Sequence, residues 1–198
     1  VRADGELMAV PQRGLFYGNR GGRIHDPESR TLLPTKRWAT RQWICCVLRF
    51  KNRRRPIMGK GHTELFFLDE VTALAAGHRP CFECRRADAV AFALAWSGDG
   101  TRARAPDMDR VLHRQRLDNR TKRVTPLSWK ALPVGAVTQI EGEIFAKSDA
   151  GPQRWSFDGY RQDTTSQFTA STVDCLTPPA IIKALKNGYQ PHWHPSAE

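Results

Sequence analysis

The run Gly77-His78-Arg79-Pro80-Cys81-Phe82-Glu83-Cys84-Arg85-Arg86 decides how the chain is read. It sets a Cys-x-x-Cys knuckle between two segments of helical pattern and surrounds it with arginine. A two-residue gap lets both thiolates turn toward one ion, which is the spacing of one side of a tetrahedral zinc site. Upstream, Cys45 and Cys46 stand side by side in an apolar stretch and are the nearest other thiols. The expected ligand set is therefore Cys45, Cys46, Cys81 and Cys84, with zinc as the cofactor. Adjacent residues of a regular strand point to opposite faces, so a four-cysteine site needs a bulge at Cys45-Cys46. Otherwise one of the two binds and His62 or His78 completes the site. The alternative without metal makes Cys45 and Cys46 plain core residues, as buried cysteines often are.

Upstream of the knuckle, Trp38 to Phe50 reads as a strand, its part from Trp43 on being β-branched and aromatic, and Thr63 to Leu68 reads as a second. The basic segment Lys51-Asn52-Arg53-Arg54-Arg55-Pro56 is expected to join them as a hairpin loop. Asp69 caps a short helix over Glu70 to Ala76, which Gly77 ends. Beyond the knuckle, Ala89, Val90, Phe92, Ala93 and Trp96 share a face and predict a helix from Arg85 to Ser97, stopped at Gly98-Asp99-Gly100. A third helix is expected from Met108 to Asn119, capped by Asp107. Near the start, Leu15-Phe16-Tyr17 reads as a short strand leading into the glycine-rich basic loop Gly18 to Arg23. That loop lacks the Gly-Lys-Ser/Thr ending of a phosphate-binding P-loop.

After Pro126 the texture changes. Val134 to Ile140 and Glu143 to Ala146 read as a hairpin around Glu141-Gly142, followed by strands at Trp155 to Phe157 and Phe168 to Leu176. Short strands spaced by glycine suggest a small barrel or rolled sheet. A last helix spans Pro179 to Lys186, with Gly188 as its stop. The fold class is α+β: a zinc-stapled small sheet with helices over residues 1–130, then a β-rich part with a terminal helix over 131–198.

Charge divides the same way. Residues 1–130 hold 26 Lys and Arg against 13 Asp and Glu; residues 131–198 hold 5 against 7. The chain's net charge of +11 is thus concentrated in the first part, which predicts a polyanionic partner there. Five cysteines, an odd number, do not suggest a disulfide framework and point to the cytoplasm. No apolar run approaches the ~20 residues of a membrane span, so no membrane partner is expected.

The stretch Thr63 to Cys84 also carries a resemblance. A strand, an alanine-rich helix ending Ala75-Ala76-Gly77, and Arg79-Pro80-Cys81-Phe82-Glu83-Cys84 follow one another in the order found in the zinc-binding (Ada-like) domains of bacterial adaptive-response DNA repair proteins. The likeness covers about residues 43–86. It implies a four-cysteine zinc site, a phosphate contact from Arg79, and methyl transfer from a DNA phosphotriester to an upstream zinc-bound cysteinate. The chain departs from that pattern upstream. The family's first two cysteines are separated by three residues, whereas Cys45 and Cys46 are adjacent, and Arg49 or Phe50 stands where the other cysteine would be.

The leading functional expectation is nucleic-acid binding, DNA rather than RNA, in repair or processing. Arg79, Arg85, Arg86, Arg53, Arg54 and Arg55 are the expected phosphate contacts. Trp38, Trp43 and Trp129 lie among arginines, as base-stacking aromatics do, though core packing accounts for them equally. The enzymatic alternative is a metal-dependent nuclease or other hydrolase. It would use His25, beside Asp26, together with Asp109 and His113, four apart on one helix face. The third reading is a non-catalytic protein with structural zinc.

Overall fold

Glycine at position 18 lets three strands meet edge to edge. The computed structural model describes residues 1–53, 56–164, 168 and 172–197. Its first part comprises β1 (Phe16–Arg20), β2 (His25–Asp26), β3 (Thr31–Leu32), β4 (Trp43–Val47), β5 (Leu65–Phe67), α1 (Glu70–Ala75) and β6 (Arg79–Pro80). A four-stranded sheet runs in the order β5-β1-β4-β6. Gly18 lies opposite both Cys45 and Leu65, and a Cβ there would sit 2.0 Å from the Ile44 carbonyl oxygen. The expected loop over Gly18 to Arg23 is thus half strand, because pairing on both sides extends β1 through Arg20. The strands around the Lys51–Pro56 segment are not hairpin partners either: β1 inserts between β4 and β5.

Two longer helices follow, α2 (Arg86–Ser97) and α3 (Ala105–Arg116). The third helix starts three residues earlier than expected. Pro106 stands in its first turn, where a fixed φ and a missing N–H cost nothing. It ends at Arg116 because Leu117 turns extended, at φ −129° and ψ 141°. Leu74, Phe92, Met108, Leu112, Ile181 and Leu185 form the buried core between the helices.

The remainder comprises β7 (Leu117–Asp118), β8 (Thr121–Lys122), β9 (Thr125–Leu127), β10 (Val137–Ile140), β11 (Glu143–Ser148), β12 (Gly151–Ser156), β13 (Gly159–Gln162), β14 (Val173–Cys175) and α4 (Pro179–Lys186). A six-stranded antiparallel sheet runs β13-β12-β11-β10-β14-β9. β13 and β9 are its edges among the described residues, so the sheet is open where a small barrel was one expectation. The β10–β11 hairpin turns at Glu141 (φ 50°) and Gly142 (φ 85°), the pair of positive φ values that a two-residue hairpin turn requires. The strand expected over Phe168 to Leu176 is β14; residues 169–171 lie outside the described residues. The protein is α+β. One core cluster draws on both sides of residue 130, with Leu68, Val71 and Ala75 packed against Val137, Ile144, Trp155 and Leu176.

The junction is held by two adjacent carboxylates. Asp69 caps α1, accepting from the Thr72 backbone N–H at 2.8 Å and the Thr72 hydroxyl at 2.7 Å. It also accepts from the Tyr160 hydroxyl and the His194 backbone N–H. Glu70, fully buried, accepts from Arg85 at 2.7 Å, the Tyr189 hydroxyl at 2.6 Å and the His192 backbone N–H at 3.0 Å. A buried carboxylate is tolerable only when its lone pairs are filled in this way. Removing one member of such a pair leaves the other charged and unpaired, at a cost of about 3–5 kcal/mol. Glu70→Ala is therefore expected to lose about that much unfolding free energy in a urea titration; a loss under about 1 kcal/mol would contradict the role assigned to this carboxylate.

Candidate metal centre

Strand alternation separates the two upstream cysteines. On β4 the Cys45 side chain faces the core with Phe16, Leu65 and Phe67, so Cys46 faces the other side. β6 pairs with β4 in parallel, Ile44 against Arg79 and Cys45 against Pro80. The Cys81 backbone N–H continues that ladder, donating to the Cys45 carbonyl oxygen at 3.0 Å. The register carried one step further sets Cys81 beside Cys46. The chain then turns back, with the Arg85 N–H on the Cys81 carbonyl oxygen at 3.0 Å, and Cys84 joins the pair.

The sulfurs of Cys46, Cys81 and Cys84 lie within 4.8 Å of one another, a group that could hold a metal ion. The Glu83 backbone N–H donates to the Cys81 sulfur at 3.4 Å, a contact that favours the thiolate. Hydrogen bonds from Cys46 and Cys84 hold the Cys81 thiol well below its ordinary pKa. The cost appears at Cys46, whose thiol the same contacts and its burial push far up. At Cys84 the bond with Cys46 favours ionisation, but the bond with Cys81 and burial outweigh it and raise its pKa. Of the three thiols, Cys81 is the one whose contacts favour ionisation.

The fourth expected ligand, Cys45, is not part of the group. It is fully buried, and the Arg85 guanidinium donates to its sulfur at 3.4 Å. Burial, then the nearby Glu70, push its thiol well above the usual range. There is no bulge at Cys45-Cys46: both residues keep one-to-one register with β1. His78 does not replace it, since its ring is buried against Trp43 at 5.0 Å and Phe67 at 4.7 Å. Desolvation, then the charges of Arg20 and Arg116, hold that imidazole neutral. His62 stacks on Tyr17 at 6.2 Å and lies 3.6 Å from Glu64. No fourth His, Cys, Asp or Glu donor joins the three sulfurs among the described residues.

All three sulfur-bearing residues line a cleft of about 890 Å³. Its walls include Tyr17, Gly21, Gly22, Phe50, His62, Glu64 and Phe66, with Arg49, Arg53 and Glu83 also on it. The Arg53–Glu83 ion pair, 2.5 Å long and exposed on both sides, ties the loop after β4 to the knuckle. His62 was expected only as an alternative ligand, and Tyr17 and Glu64 carried no motif signal. The β1 pairing that brings Tyr17 opposite Cys46 and Phe66 is what gathers them.

The arginines divide sharply. Arg79 donates twice to Asp109, at 2.8 Å from Nε and 2.8 Å from Nη2, and its side chain is 2% exposed. Arg85 is held by Glu70 and Asp88 and lies 4.6 Å over the Phe16 ring. Neither presents a guanidinium to a phosphate; both are internal pairs, because a buried arginine must be matched by a carboxylate. Arg53 and Arg86 are exposed. Arg54 and Arg55 lie outside the described residues. The expected hydrolytic trio does not assemble. His25 is buried, its ring nitrogens at 2.5 Å from the Thr63 hydroxyl and 2.8 Å from the Gly59 carbonyl oxygen. Asp109 is committed to Arg79. His113 lies beside Arg116 and edge-on to Trp38, and it shares a groove with Asp109 that His25 does not line.

No protein-family model, curated protein or solved structure matches the chain.

The lowered pKa of Cys81 can be tested on metal-free protein. Thiolate ultraviolet absorbance followed from acid to neutral pH should show one thiol ionising well below the ordinary range, and Cys81→Ser should remove that step. A first ionisation in the ordinary range near 8.5 would contradict the assignment.

Proposed function

We propose that this chain is a zinc protein that binds nucleic acid, with DNA repair or processing as its setting. The observation that carries the metal is the group of three sulfurs within 4.8 Å on the floor of an open cleft. The donor set fits zinc: soft thiolates select zinc over hard cations such as magnesium or calcium. The Cys81 sulfur accepts the Glu83 backbone N–H, as metal-bound sulfur does. Cys46, Cys81 and Cys84 would hold the ion. Bound zinc would keep all three sulfurs deprotonated at neutral pH. Three protein ligands, rather than four, are the pattern of sites that keep a position for solvent or substrate.

The nucleic-acid partner rests on charge. Once Arg79 and Arg85 are set aside as internal, exposed arginines still cover the first part of the chain. Arg23, Arg49 and Arg53 lie on the sheet side, and Arg86, Arg110 and Arg114 on the helices. A second groove, lined by Trp38, Arg41, Asp109, Arg110 and His113, offers a partly buried indole beside two arginines, which suits an unpaired base. The likeness of Thr63–Cys84 to Ada-like domains favours DNA. No helix among the described residues is long and apolar enough to cross a membrane.

Purified protein should hold one zinc per chain. Cys46→Ser, Cys81→Ser and Cys84→Ser should each lose it, while Cys45→Ser keeps it. Binding to a labelled DNA should fall about a thousandfold between 50 and 200 mM salt, as expected for about six phosphate contacts. Absence of binding at 50 mM would reject the nucleic-acid reading, and absence of zinc would reject the metal reading.

A hydrolase is the second reading, favoured by one observation: His62 and Glu64 line the same cleft as the three sulfurs. On that reading Glu64→Gln abolishes zinc-dependent hydrolysis of nucleic acid while zinc content stays unchanged. Unchanged hydrolysis in this variant would exclude it.

A further inference from the structure

The thiol cleft and the groove beside Trp38 meet at Gln42. Alternation along β4 and its flanks puts Gln42, Ile44, Cys46 and Leu48 on one face, and all four line the cleft. Gln42 also lines the groove that holds Trp38, Arg41, Asp109, Arg110 and His113. Four residues of extended chain, about 13 Å in all, therefore carry the cleft wall from Cys46 to the edge of the second groove. Arg41 and Gln42 are both exposed at that seam.

Aromatic and cationic side chains recur along the whole path. In the cleft, Tyr17, Phe50 and Phe66 stand with Arg49 and Arg53. Phe66 is 38% exposed, and Leu48 and Ile57 on the same cleft are 49% and 53% exposed. Apolar side chains left open together mark a binding surface. In the groove, the Trp38 indole meets the His113 ring edge-on at 5.5 Å, with Arg41 and Arg110 on the same lining. The carboxylates on the path are engaged. Asp109 accepts twice from Arg79, and Glu83 pairs with Arg53. Glu64 accepts from the Met58 backbone N–H at 2.9 Å and lies 3.6 Å from His62.

Charge and shape decide what can follow such a path. Phosphates gain little inside the cleft, because Glu64 and Glu83 offset its two arginines among the described residues and three thiols also line it. A duplex keeps its bases stacked out of reach and would bring the cleft little besides phosphate. A single strand brings flat base faces to aromatic walls and leaves its phosphates for nearby cations. Arg41, Arg49 and Arg110 are exposed for that purpose.

We propose that the two grooves form one track for single-stranded DNA, which crosses Gln42 and lays an unpaired base against Trp38 in one groove and against Phe66 in the thiol cleft. The track rests on the nucleic-acid reading and gives it a strandedness and a path. The open position of a zinc held by Cys46, Cys81 and Cys84 would then face an unpaired nucleotide.

Fluorescence anisotropy with the full chain tests the track, comparing a labelled oligothymidine of about 12 nucleotides with the matching duplex at about 50 mM salt. The single strand should bind about tenfold more tightly or better. Trp38→Ala and Phe66→Ala should each weaken it about tenfold, the loss of one stacked base, and leave duplex binding unchanged. If Trp38→Ala does not fold, Arg110→Glu on the surface of α3 should weaken the single strand in its place. A duplex bound as tightly as the single strand, or a single strand weakened from one groove only, overturns the track and leaves the nucleic-acid reading standing. Binding of neither removes that reading and the track with it.

Discussion

The Glu70 carboxylate is the point on which the rest of the structure hangs. It is fully buried, yet three parts of the chain meet there: α1, which carries it, Arg85 at the mouth of α2, and the C-terminal segment through Tyr189 and His192. Arg85 follows Cys84 directly, so the knuckle is positioned by an ion pair as well as by its own turn. The same guanidinium lies on Phe16 and donates to the Cys45 sulfur, joining the knuckle to the sheet. The neighbouring Asp69 fastens α1 to the six-stranded sheet through Tyr160 and, by way of Thr72, through Trp155. Two successive acidic residues thereby lock the thiol site to a C-terminal part that contributes no ligand.

Much of this was legible in the chain. The cap at Asp69, the stop at Gly77, the turn at Glu141-Gly142 and the helix over Pro179–Lys186 all follow local rules, and the structure obeys them. Period-2 alternation was enough to foresee that Cys45 and Cys46 could not both bind without a bulge. The deciding fact, that β4 stays regular and that β6 runs parallel to it, is a long-range pairing with no local signature. The order β5-β1-β4-β6 was hidden for the same reason, since nothing near Lys51–Pro56 announces that a third strand will come between.

The arginines misled because composition counts charge without locating it. Arg79 and Arg85 flank the thiols in sequence and look like surface groups awaiting phosphate. Their partners, Asp109 and Glu70, lie 30 and 15 residues away. Arg20 and Arg116 illustrate the same effect without carboxylates: four basic side chains placed in the interior leave the surface less positive than the sequence suggests. The exposed arginines on the sheet and helices remain, and they carry the case for a polyanion.

On the proposed reading, three sulfurs and not four would hold the metal and leave one position toward the cleft. X-ray absorption at the zinc edge of the loaded, intact protein counts those donors directly. Three sulfur scatterers at about 2.3 Å and one lighter nitrogen or oxygen scatterer are expected. Four sulfurs would bring Cys45 out of the core and contradict it, as would zinc surrounded by light atoms alone.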